Sequence, residues 1–307
     1  MTELDPGIAT MLQRLATEDR WLGRLPVEEE RTSYRALCLE LSGPPPAGVV
    51  TRDIVIGNGS PTRFYLPPTS AAVPTPCLLF FHGGGGVIGD VAAYDTACRT
   101  LCARSGVAVF SVEYRLAPEH PAAASFDDAE AATRWVFEHA EAPELGLDPQ
   151  RLAVGGDSQG GLIAATVAQR CRDLPLALQL LIYPGLGFDG AAATPYFEGY
   201  FLDITAITAF TAQLHAAGGP RLVELMPHTK DLSGAAPAYI ATAGFDLLTS
   251  GIPSYLALLD KAGVPAVHEN FPSLVHGFLT MSAASDVAAA AVLRIADALR
   301  EGLTRTS

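Results

Sequence analysis

The sequence predicts an α/β fold, a mostly parallel sheet with helices on both faces and a helical cap. Short apolar runs alternate with longer helical stretches from about Cys77 onward. Each apolar run ends in Gly, Pro or polar residues, the punctuation expected at strand ends. Hydrophobic residues make up 49% of the 307, enough for one large core, so one catalytic domain with insertions is expected.

The elements follow in order. Val49 to Ile56 and Thr62 to Leu66 flank the turn-rich Gly57-Asn58-Gly59-Ser60-Pro61, which predicts an antiparallel pair opening the sheet. Six further strands are expected at Cys77 to Phe81, Val107 to Val112, Leu152 to Gly155, Leu178 to Ile182, Ala238 to Ala243 and Ala266 to Phe271. Helices are expected at Ala93 to Arg104, Phe126 to His139, Gly161 to Arg172, Ile252 to Ala262 and Ala288 to Leu303. Residues 1–45, ending at Pro44-Pro45-Pro46, and residues 185–232 do not fit the alternation. The second segment offers a helix from an N-cap at Asp203 to about Ala216. An insertion between two core strands lies over their carboxyl ends, where open α/β sheets bind ligands. The two segments are therefore expected to pack together as a cap, leaving 46–184 and 233–307 as the core.

A formal net charge of -13 argues against a nucleic acid partner, which calls for clustered Lys and Arg. The early residues mix acids, bases and apolar positions without the apolar stretch of a signal peptide, and no longer run could span a membrane. A cytoplasmic location is expected. The five cysteines, Cys38, Cys77, Cys98, Cys102 and Cys171, match no zinc module and are read as small, reduced core residues. Cys98 and Cys102 stand four apart on one helix face, but two ligands without a nearby His do not make a metal site. No metal site is expected.

The strongest local signal is Gly155-Gly156-Asp157-Ser158-Gln159-Gly160-Gly161, between an apolar strand and a helical run. A sharp strand-to-helix turn exposes a serine hydroxyl only if the residues two positions either side lack side chains, the reason for G-x-S-x-G spacing. A second glycine cluster, His82-Gly83-Gly84-Gly85-Gly86, follows another strand and belongs at the same sheet edge. Backbone N–H groups of Gly84, Gly85 and Gln159 are the candidates to hold the oxyanion of an acyl-transfer reaction. A phosphate cradle is disfavoured because no Gly-Lys-Ser/Thr follows and the glycine spacing differs from G-x-G-x-x-G.

A serine hydroxyl needs a base to take its proton, and the base needs an orienting group. Of seven histidines, His276 lies in a loop after the last expected strand, while His82 adjoins the glycine loop and shapes it. His120, His139, His215, His228 and His268 fall in helical, cap or strand contexts, where a lone His is usually structural or solvated. Asp246 follows the strand ending Ala243-Gly244-Phe245, giving the chain order Ser158, Asp246, His276. Its rivals, Glu269 within a strand and Asp260 in a helix, are not presented from a strand-end loop.

Four ordered blocks resemble the bacterial hormone-sensitive-lipase-like esterases of the α/β-hydrolase fold, over most of the chain from Val49 to Leu279. They are His82-Gly83-Gly84-Gly85 with Gly89; Tyr114-Arg115-Leu116-Ala117-Pro118-Glu119 with His120-Pro121; Gly156-Asp157-Ser158-Gln159-Gly160-Gly161; and His276-Gly277-Phe278. The resemblance implies the fold, the helical cap and cofactor-free ester hydrolysis, with a structural role for the Tyr114 to Glu119 block. Three departures stand out. Gln159 replaces a usual Ala, Gly86 stands where an aromatic is common, and Leu247-Leu248-Thr249-Ser250 replaces an Asp-Pro-Leu-Arg-Asp pattern after the acid.

The expected activity is hydrolysis of small, short- to medium-chain acyl esters through Ser158, His276 and Asp246 and an acyl-enzyme. An amide, lactone or N-formyl hydrolase would use the same residues, because fold and triad do not fix the leaving group. A non-enzymatic receptor is disfavoured, since plant gibberellin receptors resemble this family with the histidine lost and His276 is present. The expected partner is a small-molecule ester, and the sequence leaves a homodimer open.

Overall fold

The structure, a computed structural model, describes residues 3–68 and 74–304. Eight strands form one sheet: β1 (Val50–Ile56), β2 (Ser60–Leu66), β3 (Thr75–Phe81), β4 (Ala108–Val112), β5 (Leu147–Asp157), β6 (Leu176–Ile182), β7 (Ala238–Phe245) and β8 (Ala266–Val275). Their spatial order is β1-β2-β4-β3-β5-β6-β7-β8. β1 and β2 are antiparallel, as is β2 with β4, and all the remaining pairs are parallel.

The helices are α1 (Pro6–Thr17), α2 (Val27–Ser42), α3 (Asp95–Ser105), α4 (Ala122–His139), α5 (Gln159–Arg170), α6 (Gly190–Ala193), α7 (Ile204–Ala216), α8 (Leu222–Leu225), α9 (Ile252–Lys261) and α10 (Asp286–Thr304). The start of α1 has a chemical cause: the Asp5 side chain accepts from the Ile8 N–H, and Pro6 occupies a position whose N–H would have no helical partner. Asp203 caps α7 in the same way, accepting from the Ala206 N–H at 2.8 Å.

Strand alternation divides the core between the sheet's two faces. Along β3, Leu78 and Phe80 join a cluster with α1, α2, α3 and α10, whereas Cys77, Leu79 and Phe81 join the cluster beneath α4, α5 and α9. All five cysteines are free and buried. Among the described residues no helix is long and apolar enough to cross a membrane.

Element bounds differ from expectation in instructive places. α5 begins at Gln159, not Gly161, because it starts immediately after the serine, and the glycines that discourage helix on propensity are needed there for close packing. β5 extends back to Leu147 through Asp148-Pro149-Gln150, pairing with Thr75 of β3 across a register shift that no alternation pattern signals. β8 continues to Val275, so the loop carrying His276 leaves directly from a strand end.

The strand order fixes where a site can form. The chain passes from β3 to β4 on one side, then returns to place β5 against the other side of β3. The loops that follow β3 and β5 therefore leave adjacent strand ends, a topological switch point of the kind where α/β sheets bind ligands. Phe81 of β3 pairs in register with Gly156 of β5, so the glycine loop and Ser158 emerge side by side.

Candidate active site

Ser158 sits between β5 and α5 with φ 52° and ψ -118°. A non-glycine residue in that region carries strain of about 1–3 kcal/mol, which surrounding contacts must hold. They are tight. A Cβ on Gly160 would stand 1.9 Å from the Phe81 carbonyl oxygen, and one on Gly156 would stand 2.3 Å from the same atom. The Ser158 N–H donates to the Ile182 carbonyl at 2.9 Å, and its carbonyl accepts from the Gly185 N–H at 2.8 Å.

His276 follows β8 and Asp246 follows β7, and the structure brings both to Ser158. His276 Nε2 lies 2.9 Å from Ser158 Oγ, and His276 Nδ1 lies 2.8 Å from Asp246 Oδ2. A carboxylate can only accept, so the proton resides on Nδ1 and Nε2 is free to accept from the serine hydroxyl. The second oxygen of Asp246 accepts from the Leu248 N–H at 2.9 Å, fixing the carboxylate plane. Asp246 and His276 are 2% and 5% exposed, so their pair is shielded from water. Tyr183 lies against the imidazole with ring centroids 4.7 Å apart.

The turn after Asp246, where the sequence departs from the resembled pattern, is a short 3-10 helix from Leu247 to Gly251. Thr249 supplies the anchor, its hydroxyl donating to the Ala243 carbonyl at 2.7 Å. The rival acids lie elsewhere. Glu269, on β8, accepts from the hydroxyl of Tyr239 on β7, and Asp260 is in α9.

Gly84 and Gly85 have φ of 113° and 63°, backbone conformations that glycine adopts without strain. Among the described residues the N–H groups of Gly84, Gly85 and Gln159 donate to no protein acceptor, although all three residues line the cavity at Ser158. The Tyr114 to Glu119 block braces this loop. The Tyr114 hydroxyl donates to the His82 carbonyl at 2.6 Å, and Arg31 of α2 meets Glu119 at 2.7 Å. His82 stacks on Tyr114 and its Nδ1 lies 2.7 Å from the Gly83 carbonyl oxygen, so it shapes the loop.

Asp157, a residue assigned no role from the sequence, ties these parts together. Its Oδ1 accepts from the Gly83 N–H at 2.7 Å and its Oδ2 accepts from the Tyr94 hydroxyl at 3.1 Å. Tyr94 in turn meets the Tyr34 hydroxyl of α2 at 2.8 Å. Burial pushes the Asp157 carboxyl up to about 7, against the opposing pull of the Tyr94 hydrogen bond and the nearby His276. No local sign of this role stands in the sequence, because the tyrosines that complete the network come from distant segments.

The cavity over Ser158 has a volume of about 240 Å³. Its walls are mostly apolar and come from both helical segments, with Leu22 from the first and Phe201, Phe210 and Met226 from the second. The segments also meet directly, Arg24 reaching Asp203 at 2.6 Å.

Comparison with known proteins agrees with this architecture. A family model described as alpha/beta hydrolase fold matches residues 78–280. The chain is 39% identical to Esterase LipI of Mycobacterium tuberculosis, over 97% of this chain and 89% of that protein. It is 37% identical to the Carboxylic ester hydrolase LipN of the same organism, over 98% of this chain and 84% of that protein. Among solved structures, a hyperthermophilic esterase from Pyrobaculum calidifontis superposes with a TM-score of 0.86 at 31% identity, covering 98% of this chain and 99% of that one. The chain belongs to the α/β-hydrolase-fold family, in its hormone-sensitive-lipase-like esterase branch.

Proposed function

We propose that Ser158, His276 and Asp246 are a catalytic triad with which this serine carboxylesterase hydrolyses small acyl esters through an acyl-enzyme. The observation that carries the reading is the continuous hydrogen-bonded chain, 2.9 Å from Ser158 Oγ to His276 Nε2 and 2.8 Å from Nδ1 to Asp246. Ser158 Oγ attacks the ester carbonyl carbon while His276 Nε2 takes its proton. The carbonyl oxygen becomes an oxyanion facing the N–H groups of Gly84, Gly85 and Gln159, donors without protein partners among the described residues and so needing no reorganisation. As the carbon–oxygen bond to the alcohol breaks, His276 returns the proton to the departing oxygen. Water then attacks the acyl-enzyme with the same base, releasing the acid and free Ser158.

The two helical segments, 1–45 and 185–232, act as a cap that bounds the pocket, a reading supported by their shared lining of the cavity. At about 240 Å³ the space is below the roughly 300–1,000 Å³ usual for ligand sites, which favours short to medium acyl groups. The five reduced, buried cysteines suit a cytoplasmic location. Relatives named esterase and carboxylic ester hydrolase support the ester as the substrate class.

The test is covalent labelling. An organophosphate or sulfonyl fluoride is expected to add once, at Ser158, and to stop turnover of a chromogenic short-chain ester in proportion to labelling. An adduct mapped to another residue, or full labelling with activity intact, would overturn the assignment.

A further inference from the structure

The side chain of Gln159 has no role in the cycle above, which uses only its backbone N–H. It is 6% exposed, yet its Nε2 is buried and has no hydrogen-bond partner among the described residues. Leaving a buried amide donor unpaired costs about 1–3 kcal/mol, and native proteins keep few such groups. Gln159 lines the cavity at Ser158 together with Leu214, Phe210 and Met226, whose side chains carry no oxygen acceptor. Gly86 faces the amide, and a Cβ at Gly86 would lie 3.8 Å from Gln159 Nε2 and 3.3 Å from Leu214 Cδ2. The φ of 74° at Gly86 also favours glycine, so a side chain at 86 would be strained and would press on Leu214 beside the donor.

We propose that the Gln159 side chain is a specificity element that donates from Nε2 to a substrate oxygen other than those of the scissile ester, which assigns to this enzyme esters carrying a second hydrogen-bond acceptor. An ether, ketone or hydroxyl oxygen on the acyl or alcohol chain fits this description. The inference rests on Ser158 as the nucleophile, since it is Ser158 that brings an ester beside the amide. Its energetic logic is asymmetric. A substrate with the acceptor satisfies a donor that is otherwise unpaired, whereas a plain alkyl ester buries that donor against methylenes, and sites built this way discriminate more sharply than apolar pockets do.

The experiment compares kcat/KM for a hexanoate ester with those of analogues in which one acyl methylene is replaced by an ether oxygen, and a matched butanoate series with the replacement in the alcohol chain. The wild type is set beside Gln159→Met, which keeps the length and loses the donor, and Gln159→Leu. The readout is the preference for the ether analogue over its carbon parent within each protein, so a general change in turnover cancels, as do the electronic effects of the oxygen. At least one analogue is expected to lose roughly tenfold of its relative preference in both variants, the value of one hydrogen bond. Equal preferences in the wild type and both variants across both series would overturn the assignment and leave the amide to bind water. Failure of the wild type to hydrolyse any of these esters would instead overturn the esterase reading, and this one with it.

Discussion

Three side chains from three strand-end loops meet at Ser158, and their proposed division of labour can be tested one residue at a time. Asp246 is the informative one, because the sequence around it departs most from the resembled pattern while its carboxylate still accepts from both His276 and the Leu248 N–H. Asp246→Asn keeps the shape but can present an N–H to His276 Nδ1, favouring the tautomer whose Nε2 cannot accept from serine. Turnover is expected to fall by roughly three to four powers of ten with the fold retained. Asp260→Asn and Glu269→Gln serve as controls and are expected to stay near wild type. Loss of activity in a control with Asp246→Asn still active would place the acid elsewhere. Gly156, Ser158 and Gly160 were legible as a motif, since the need for missing side chains is written in the spacing. Asp157 was not, because nothing local marks a carboxylate whose partners are Gly83, Tyr94 and, through Tyr94, Tyr34.

At the scale of elements, the turn between β5 and α5 works because it is pressed against the end of β3. Gly160 makes the closest approach, its absent Cβ position lying 1.9 Å from a backbone oxygen that no side-chain rotation can move. Gly160→Ala is therefore expected to force the helix start away from β3 and to destabilise the protein by about 3 kcal/mol or more, at the upper end of overpacking effects. Thermal melting would measure the loss, and an unchanged melting temperature would contradict the packing described. Sequence punctuation located all eight strands and helices α3, α4, α5, α7, α9 and α10, because alternation and Gly or Pro breaks are local properties. It missed the start of β5 and the end of β8, where pairing with a neighbouring strand extends the ladder through residues with little intrinsic strand character.

For the molecule as a whole, the buried Asp157 links stability to pH. Its carboxyl is raised to about 7 in the folded protein, above the roughly 4 of an unfolded chain. A raised carboxyl contributes stability that is fully present below the unfolded value and is lost as pH rises through the folded one. Wild-type stability should thus fall between pH ~4 and about 7 relative to Asp157→Asn, by on the order of a few kcal/mol. Melting curves across that window check the sign, and parallel profiles for the two proteins would refute it. The roofed cavity sets a second expectation. Soluble butanoate esters should be turned over faster than emulsified long-chain triglycerides, because a pocket of about 240 Å³ limits chain length and access from an interface. Faster hydrolysis of the emulsion would show that the helical segments do not bound the site as proposed.

By itself the sequence determined the α/β class, and it singled out the serine turn, the glycine loop, His276 and Asp246 as the candidate site. Those features are set by local periodicity, by backbone conformations that demand glycine, and by the position of a polar residue just after a strand. Only the tertiary structure decided that β5 lies against β3, so that the loops of the two strands share one edge, and that α2 reaches the site through Tyr34 and Tyr94. It also decided that Nε2 of Gln159 is enclosed without a partner among the described residues, a matter of what surrounds it in space. Hydrogen-bond satisfaction and burial depend on groups brought together from remote parts of the chain, and no local pattern encodes them.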